Sequence, residues 1–164
     1  MKKYKVLYSS KEKMPWNFDQ YEEHDCSIET NLKTGDYTVQ NCESFFIIER
    51  KRNTSEFSRN IIEERFEKEF IRMLDFKYRY VICEFDVNDI LSFPRNSGIH
   101  KRLWYLIKIN PKFLLKKICE LSTKYDVHFI FAGNRSNAIE IAHSLFKRIL
   151  ELNEEKTALD SRTA

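Results

Sequence analysis

Thr34-Gly35-Asp36-Tyr37-Thr38-Val39, followed after a polar break by Phe45-Phe46-Ile47-Ile48-Glu49-Arg50-Lys51, is the stretch on which the reading of this chain turns. Gly35 supplies the backbone angles of a turn and Asp36 tolerates them. Tyr37, Thr38 and Val39 are strand formers. Gln40 to Ser44 is polar, and Phe45 to Lys51 is a second strand, so the two segments make a hairpin with a long loop. Side chains on a strand alternate faces, which places Glu49 and Lys51 on one side and Arg50 on the other. A charged triplet closing an apolar strand costs roughly several kcal/mol in lost hydration unless the charges are paired or hold a metal. The hairpin carries Asp36 beside Glu49. Two carboxylates and a lysine on one sheet face suit Mg²⁺, which takes oxygen ligands, keeps several waters and needs few carboxylates when a substrate phosphate is present. Such a site fits phosphodiester hydrolysis. Spacing alone does not separate it from an exposed strand end bearing a charge pair.

Outward from the hairpin, Val6 to Tyr8 is a short strand, and Ser27-Ile28-Glu29-Thr30 closes a polar segment that can pair in a sheet. Ile61, Ile62, Phe66, Phe70, Met73 and Leu74 recur at spacings of three and four, predicting one helix with a buried face. Tyr80 to Phe85 is a buried strand, and Asn88 to Gly98 is a loop. Leu103 to Ile107 lies on a helix, and Pro111 opens another that buries Phe113, Leu114, Leu115, Ile118 and Leu121. Val127 to Phe131 is a further strand. Ser136 caps a last helix whose inner side is Ala138, Ile141, Ala142, Leu145, Ile149 and Leu150. Later strands alternate with helices, which predicts an α/β domain with a mixed, partly parallel central sheet flanked by helices. Residues 1–152 form one domain, and 153–164 is a polar, frayed tail.

At 164 residues, 42% hydrophobic and 14% aromatic, the chain can build a true core, so wholesale disorder is excluded. Its longest apolar run, Leu103 to Ile107, is far short of the ~20 residues that span a bilayer. No apolar stretch follows the amino-terminal lysines, so a secretory signal and a membrane partner are not expected. Cys26, Cys42, Cys83 and Cys119 lack zinc-ligand spacing and read as reduced thiols of an intracellular protein. With Gly35, Gly98 and Gly133 alone, there is no glycine-rich phosphate loop. No nucleophile elbow surrounds Ser9, Ser10 or Ser136. His128, in an apolar strand, reads as a core histidine. Net charge is only +3, but its distribution is uneven: Ile90 to Cys119 contains no Asp or Glu and seven cations, Arg95, Lys101, Arg102, Lys108, Lys112, Lys116 and Lys117. That is a candidate phosphate-facing surface, or else a solvated helix face.

Gly35-Asp36-Tyr37 followed by Ile47-Ile48-Glu49-Arg50-Lys51 resembles the nuclease motif of the XPF-type structure-selective endonucleases, within the restriction-endonuclease-like PD-(D/E)XK superfamily. The resemblance runs through roughly residues 4 to 150. Ser9-Ser10-Lys11-Glu12 with Pro15-Trp16-Asn17-Phe18 looks like the family's first strand and its Asp-x-Arg-Glu segment, and Pro-Trp-x-Phe is similar to small bacterial and phage members. Arg65 falls where the family places a helix with an inward arginine, and Tyr80 to Phe85 looks like its next strand. The resemblance implies a restriction-endonuclease-like fold and a divalent-metal-dependent DNA endonuclease, using Mg²⁺ or Mn²⁺ on branched or flapped DNA in repair or recombination. Asp36 and Glu49 are then the metal ligands, Lys51 the catalytic lysine, Arg50 a support or phosphate contact, and Glu12 a further member of the acidic cluster. Lys11, Arg65, Arg95, Lys101 and Arg102 are the DNA-binding candidates. Two departures stand out. The first-motif Asp falls on Ser9 and its Arg on Lys11, and the acid after Glu-Arg-Lys falls on Ser55, with Glu56 next. A degenerate, non-cleaving module of the same fold is the alternative reading, and another restriction-like branch a third. Larger relatives carry tandem helix-hairpin-helix motifs for DNA grip and pairing. With no such signature here, a second copy of the chain or an accessory DNA-binding subunit is the expected partner.

Overall fold

The structure, a computed structural model, describes residues 3–163. Six strands form one sheet: β1 Tyr4–Ser9, β2 His24–Thr30, β3 Tyr37–Val39, β4 Phe46–Lys51, β5 Tyr78–Cys83 and β6 His128–Phe131. Their spatial order is β2-β1-β3-β4-β5-β6. β3 runs antiparallel to both β1 and β4, while β2 is parallel to β1, and β5 and β6 follow β4 in parallel. The fold is thus α/β with a mixed central sheet flanked by helices, as the alternation of elements predicts.

The hairpin depends on Gly35. Its φ is +70°, and a Cβ there would sit 2.3 Å from Ile47 Cγ1 and 3.0 Å from the Ile48 carbonyl oxygen. Only glycine allows both the angle and this approach, which presses the turn onto β4. Tyr37 then pairs with Ile48, and Asp36 N–H donates to the Ile48 carbonyl at 2.8 Å.

Two apolar cores cover the two faces of the sheet. One gathers Trp16, Phe18, Tyr37, Phe46, Ile48 and Ile82 under Ala138, Ala142, Phe146 and Ile149 of α5, Arg135–Thr163. The other gathers Ile47, Val81 and Cys83 with side chains of α1 Thr54–Asn60, α2 Glu64–Met73, α3 Val87–Leu91 and α4 Pro111–Tyr125. α4 has Pro111 in its first turn and the Asn110 side chain accepting from Phe113 N–H at 2.9 Å, a capped start that Pro111 signalled in the sequence.

Several expectations are corrected. Of the helix expected over residues 61–74, Glu64–Met73 forms as α2, while Ile61 closes an earlier helix, α1, that Asn53 caps and that buries Phe57. Ile62 and Leu74 keep the periodicity yet face solvent. Asn134, not Ser136, accepts from Asn137 N–H at the start of α5. Residues 153–163 continue α5 rather than fray; Arg148, ion-paired to both Glu151 and Glu155, supports the turns leading into this exposed extension. His128 opens the edge strand β6 and is exposed, not a core histidine. Residues 101–106 form a 3-10 helix, and the expected loop at 88–98 begins as the last turn of α3. Among the described residues no helix is long and apolar enough to cross a membrane.

Candidate active site

The site lies at the carboxyl end of β4, where the Glu49-Arg50-Lys51 triplet meets the turn before β3. All three residues are buried. Alternation sends them to opposite cores. Lys51 Nζ donates to Glu49 Oε1 at 2.8 Å and lies 4.7 Å from the centre of the Phe66 ring. The Arg50 guanidinium sits over the Trp16 ring on the other face, 5.3 Å from its centre.

Asp36 joins this end through its side chain. Oδ2 accepts from Arg50 N–H at 2.8 Å, so the carboxylate continues the ladder past the end of β3. Burial, and then the charge of Glu49, push the Asp36 carboxyl well above the usual carboxylate range; the Arg50 amide works against them. For Lys51, burial pulls the ammonium down, but the charge and hydrogen bond of Glu49, helped by Asp36 and Glu56, outweigh it and hold the group above its ordinary value. Lys51 is therefore a cation and a donor. Asp36 and Glu49 set two carboxyl groups against this one ammonium, and a small cavity of about 70 Å³ opens beside Glu49 and Lys51, lined also by Asn60, Glu63, Arg65, Phe66 and Glu69.

The opposite face is closed. Arg50 Nη1 donates to Glu12 Oε2 at 2.6 Å and to the Met14 carbonyl at 2.7 Å, and Nε donates to Glu84 Oε1 at 2.8 Å. Trp16 Nε1 donates to the same Glu84 oxygen at 2.6 Å, and Trp16 stacks on Tyr37 with ring centres 4.4 Å apart. Tyr37 OH donates to Glu12 and accepts from Trp16 N–H. The charge of Glu12 also pushes the Asp36 carboxyl up, while its hydrogen bonds go to Arg50 and Tyr37. Arg50 Nη2 is buried with no hydrogen-bond partner.

The structure places Asp36, Glu49 and Lys51 together at the end of β4, and Arg50 with Glu12 on the other face of the same strand end. Ser9, at the first-motif position, is buried; its carbonyl accepts from Glu12 N–H and its own N–H donates to the Asp36 carbonyl. Lys11 is exposed one residue before Glu12. Arg65 is not inward: its side chain is 78% exposed and pairs with Glu63 at 3.4 Å, on the rim of the small cavity. It lies early in α2, to one side of the buried stripe of Phe66, Phe70 and Met73, and faces solvent. Arg95, Lys101 and Arg102 are exposed on the connection from β5 to α4 and make no ion pair among the described residues, whereas Lys116 and Lys117 are paired with Glu120. Trp16 and Glu84 were not identified as site residues from sequence. Glu84 directly follows the end of β5, whereas Trp16 lies in the connection from β1 to β2, where no local signal marks it.

Among the described residues no group of three or more His, Cys, Asp or Glu is arranged to hold a metal ion. The donors on offer are two hard carboxylates, one buried and made acid-poor by its neighbour. That set fits Mg²⁺ or Mn²⁺, which complete their shell with water and substrate oxygen, and does not fit a closed zinc site.

Searched against known proteins, the chain matches the family model "ERCC4 domain" over residues 9–145. No curated protein sequence matches it. Among solved structures it is similar to XPF from Aeropyrum pernix, with a TM-score of 0.64 at 16% identity over 87% of this chain and 60% of that one. It is also similar to XPF from Aeropyrum pernix in complex with DNA, with a TM-score of 0.66 at 17% identity over 91% of this chain and 66% of that one. The chain spans less than two thirds of the length of either. The fold similarity and the family match over most of the chain agree with the hairpin motif: this chain belongs to the ERCC4 domain family, that of the XPF-type nucleases.

Proposed function

We propose that the chain is a divalent-metal-dependent endonuclease acting on the phosphodiester backbone of DNA, at branched or flapped structures in repair or recombination. One observation carries the reading: Asp36 and Glu49 crowd two carboxylates against a single ammonium at a strand end, and a bound cation is what relieves that excess. Mg²⁺ or Mn²⁺ supplies Lewis acidity toward the phosphate and lowers the pKa of bound water. Asp36 and Glu49 would hold it. Lys51, fixed by Glu49 and kept protonated, donates to the attacking water or to a non-bridging phosphate oxygen. Arg50 is too enclosed to reach a backbone, its side chain being 1% exposed, so it acts as a support that holds Glu12 beside the acidic pair. Lys11 and Arg65 flank the site from either side and meet phosphates, as do Arg95, Lys101 and Arg102 farther out. The DNA complex of the similar Aeropyrum pernix protein supports nucleic acid as the substrate. Such a substrate fits a protein inside the cell with no membrane partner, and a second copy of the chain or an accessory DNA-binding subunit is the proposed partner.

The competing reading is a non-cleaving module of the same fold, favoured by Ser9 in place of the first-motif acid. Incubation with labelled flap, fork and duplex DNA plus Mg²⁺ or Mn²⁺ decides between them. Cutting by the wild type that is lost in Lys51→Ala supports the nuclease. DNA binding that survives EDTA, with no cutting of any substrate, supports the module.

A further inference from the structure

The connection from β5 to α4 holds side chains that the proposed chemistry leaves unused. It leaves the sheet directly beside the site, since Glu84 N–H donates to the Lys51 carbonyl at 2.8 Å. β4, β5 and β6 are parallel, so the chain must recross the sheet through α4, and residues 84–110 stay at the site's end of the molecule. Within them, the 3-10 helix Lys101–Leu106 points its large side chains outward: Tyr105 is 83% exposed, Leu106 60% and Leu103 47%. Its inner side is anchored, with Trp104 Nε1 donating to the Ile99 carbonyl at 2.9 Å and Ile107 and Ile109 against the core under α4.

Leu103, Tyr105 and Leu106 are thus three large apolar side chains exposed within four residues, and apolar groups gathered on a surface in this way often mark a binding site. What surrounds them identifies the ligand. Arg95, Lys101, Arg102, Lys108 and Lys112 are all exposed and unpaired among the described residues, and no acid lies between Ile90 and Cys119. An apolar protein partner would meet five desolvated cations there. Paired duplex DNA offers phosphates for those cations but keeps its bases stacked away from Tyr105. Unpaired nucleotides offer both phosphates and flat apolar bases, and aromatic rings set among lysines and arginines are the combination that binds them without regard to sequence.

We infer that the Leu103–Tyr105–Leu106 patch is a stacking platform for unpaired bases, and that it holds the single-stranded arm of a junction next to the Asp36–Glu49 site. The inference rests on the nuclease reading for its substrate and adds the element that distinguishes a branch from a plain duplex. It also gives the uneven charge of residues 90–119 a physical role.

The test measures affinity for a forked DNA and for blunt duplex of equal length, with 2-aminopurine in the fork's unpaired arm, for the wild type, Tyr105→Ala and Tyr105→Trp. Tyr105 is solvent-exposed, so neither variant threatens the fold. The wild type should prefer the fork, with 2-aminopurine fluorescence quenched on binding. Tyr105→Ala should lose about tenfold of that preference together with the quenching, and Tyr105→Trp should retain both. A fork preference equal in wild type and Tyr105→Ala overturns the platform. So does DNA cleavage by a wild type with no fork preference, an outcome that leaves the nuclease reading intact. A wild type that prefers forks through Tyr105 but cuts nothing supports the platform and removes the nuclease. Self-association without DNA that Tyr105→Ala abolishes, measured by sedimentation, would assign the patch to a second copy and overturn the inference.

Discussion

Strand β4 ends in two different electrostatic environments one residue apart. Toward α2, Lys51 pairs with Glu49 near the raised Asp36 carboxyl, beside an open cavity. Toward α5, Arg50 is locked between Glu12, Glu84, the Met14 carbonyl and the Trp16 ring, with its side chain out of water. Both faces set two carboxyl groups against one cation, but the same strand carries an incomplete cluster beside an open cavity on one face and a nearly complete, hydrogen-bonded one on the other. An incomplete cluster is strained in the free protein and satisfied by a ligand. A complete one contributes stability and shape and has nothing left to bind except at Arg50 Nη2. The contrast separates groups left open to a ligand from groups enclosed by their neighbours, although Glu49, Arg50 and Lys51 are contiguous in sequence.

The comparison can be broken most forcefully at Asp36. Asp36→Asn should slow DNA cleavage by about 10³-fold while raising the thermal midpoint of the metal-free protein at neutral pH. The second half follows from the direction of the shift. Asp36's pKa is raised in the folded state, so folding holds a proton that the unfolded chain releases, and stability is lost as pH climbs from the ordinary value of 3.8 through the folded one. The amide keeps the bond to Arg50 N–H and removes that loss. Calorimetric scans of both proteins in EDTA, with cleavage assays alongside, check the pair of signs; a lower midpoint for Asp36→Asn would remove the strained-site description.

On the closed face the sign reverses. Arg50→Ala should cost about 3 kcal/mol in denaturant unfolding, because it leaves Glu12 and Glu84 enclosed without their cation. Glu84→Gln sharpens the contrast at smaller amplitude. It keeps an acceptor for Trp16 but weakens the charge-assisted bond to Arg50, which should cost about 1 kcal/mol and lower the maximal cleavage rate more than it changes apparent DNA affinity. Equal loss in both kinetic parameters would show that Glu84 does not act through the site.

The smallest effect lies away from both faces. His143 accepts or donates with Tyr4 OH at 2.6 Å and stacks on Tyr21, and burial lowers its pKa. The unfolded chain then takes up the proton first, so stability should fall as pH drops below 6.5, and His143→Gln should flatten that slope in urea titrations between pH 7 and pH 5.

The hairpin and its site were readable because they rest on local signals: a glycine that must turn, β-formers on either side, and charges where an apolar strand stops. Period two then assigned Glu49 and Lys51 to one face without any knowledge of what covers it. The cage around Arg50 was not readable. Glu84 is 68 residues from Trp16 and 34 from Arg50, and nothing in either neighbourhood announces the meeting. The helix expected over residues 61–74 differs from the observed α1 and α2 for a related reason. Ile62 and Leu74 satisfy a helical period but face water, while Phe57, hidden among polar residues, fills the core beside Phe66 and Phe85. The outward turn of Leu103, Tyr105 and Leu106 was likewise invisible, since an apolar run reads as buried until its neighbours are placed.

Titration of metal-free protein with Mn²⁺ at neutral pH, followed by electron paramagnetic resonance of the free ion, addresses the open face most directly. The account predicts that the wild type takes up Mn²⁺ and that Asp36→Asn and Glu49→Gln each lose that uptake. A wild type that leaves all Mn²⁺ free, or uptake undiminished in both variants, would contradict it.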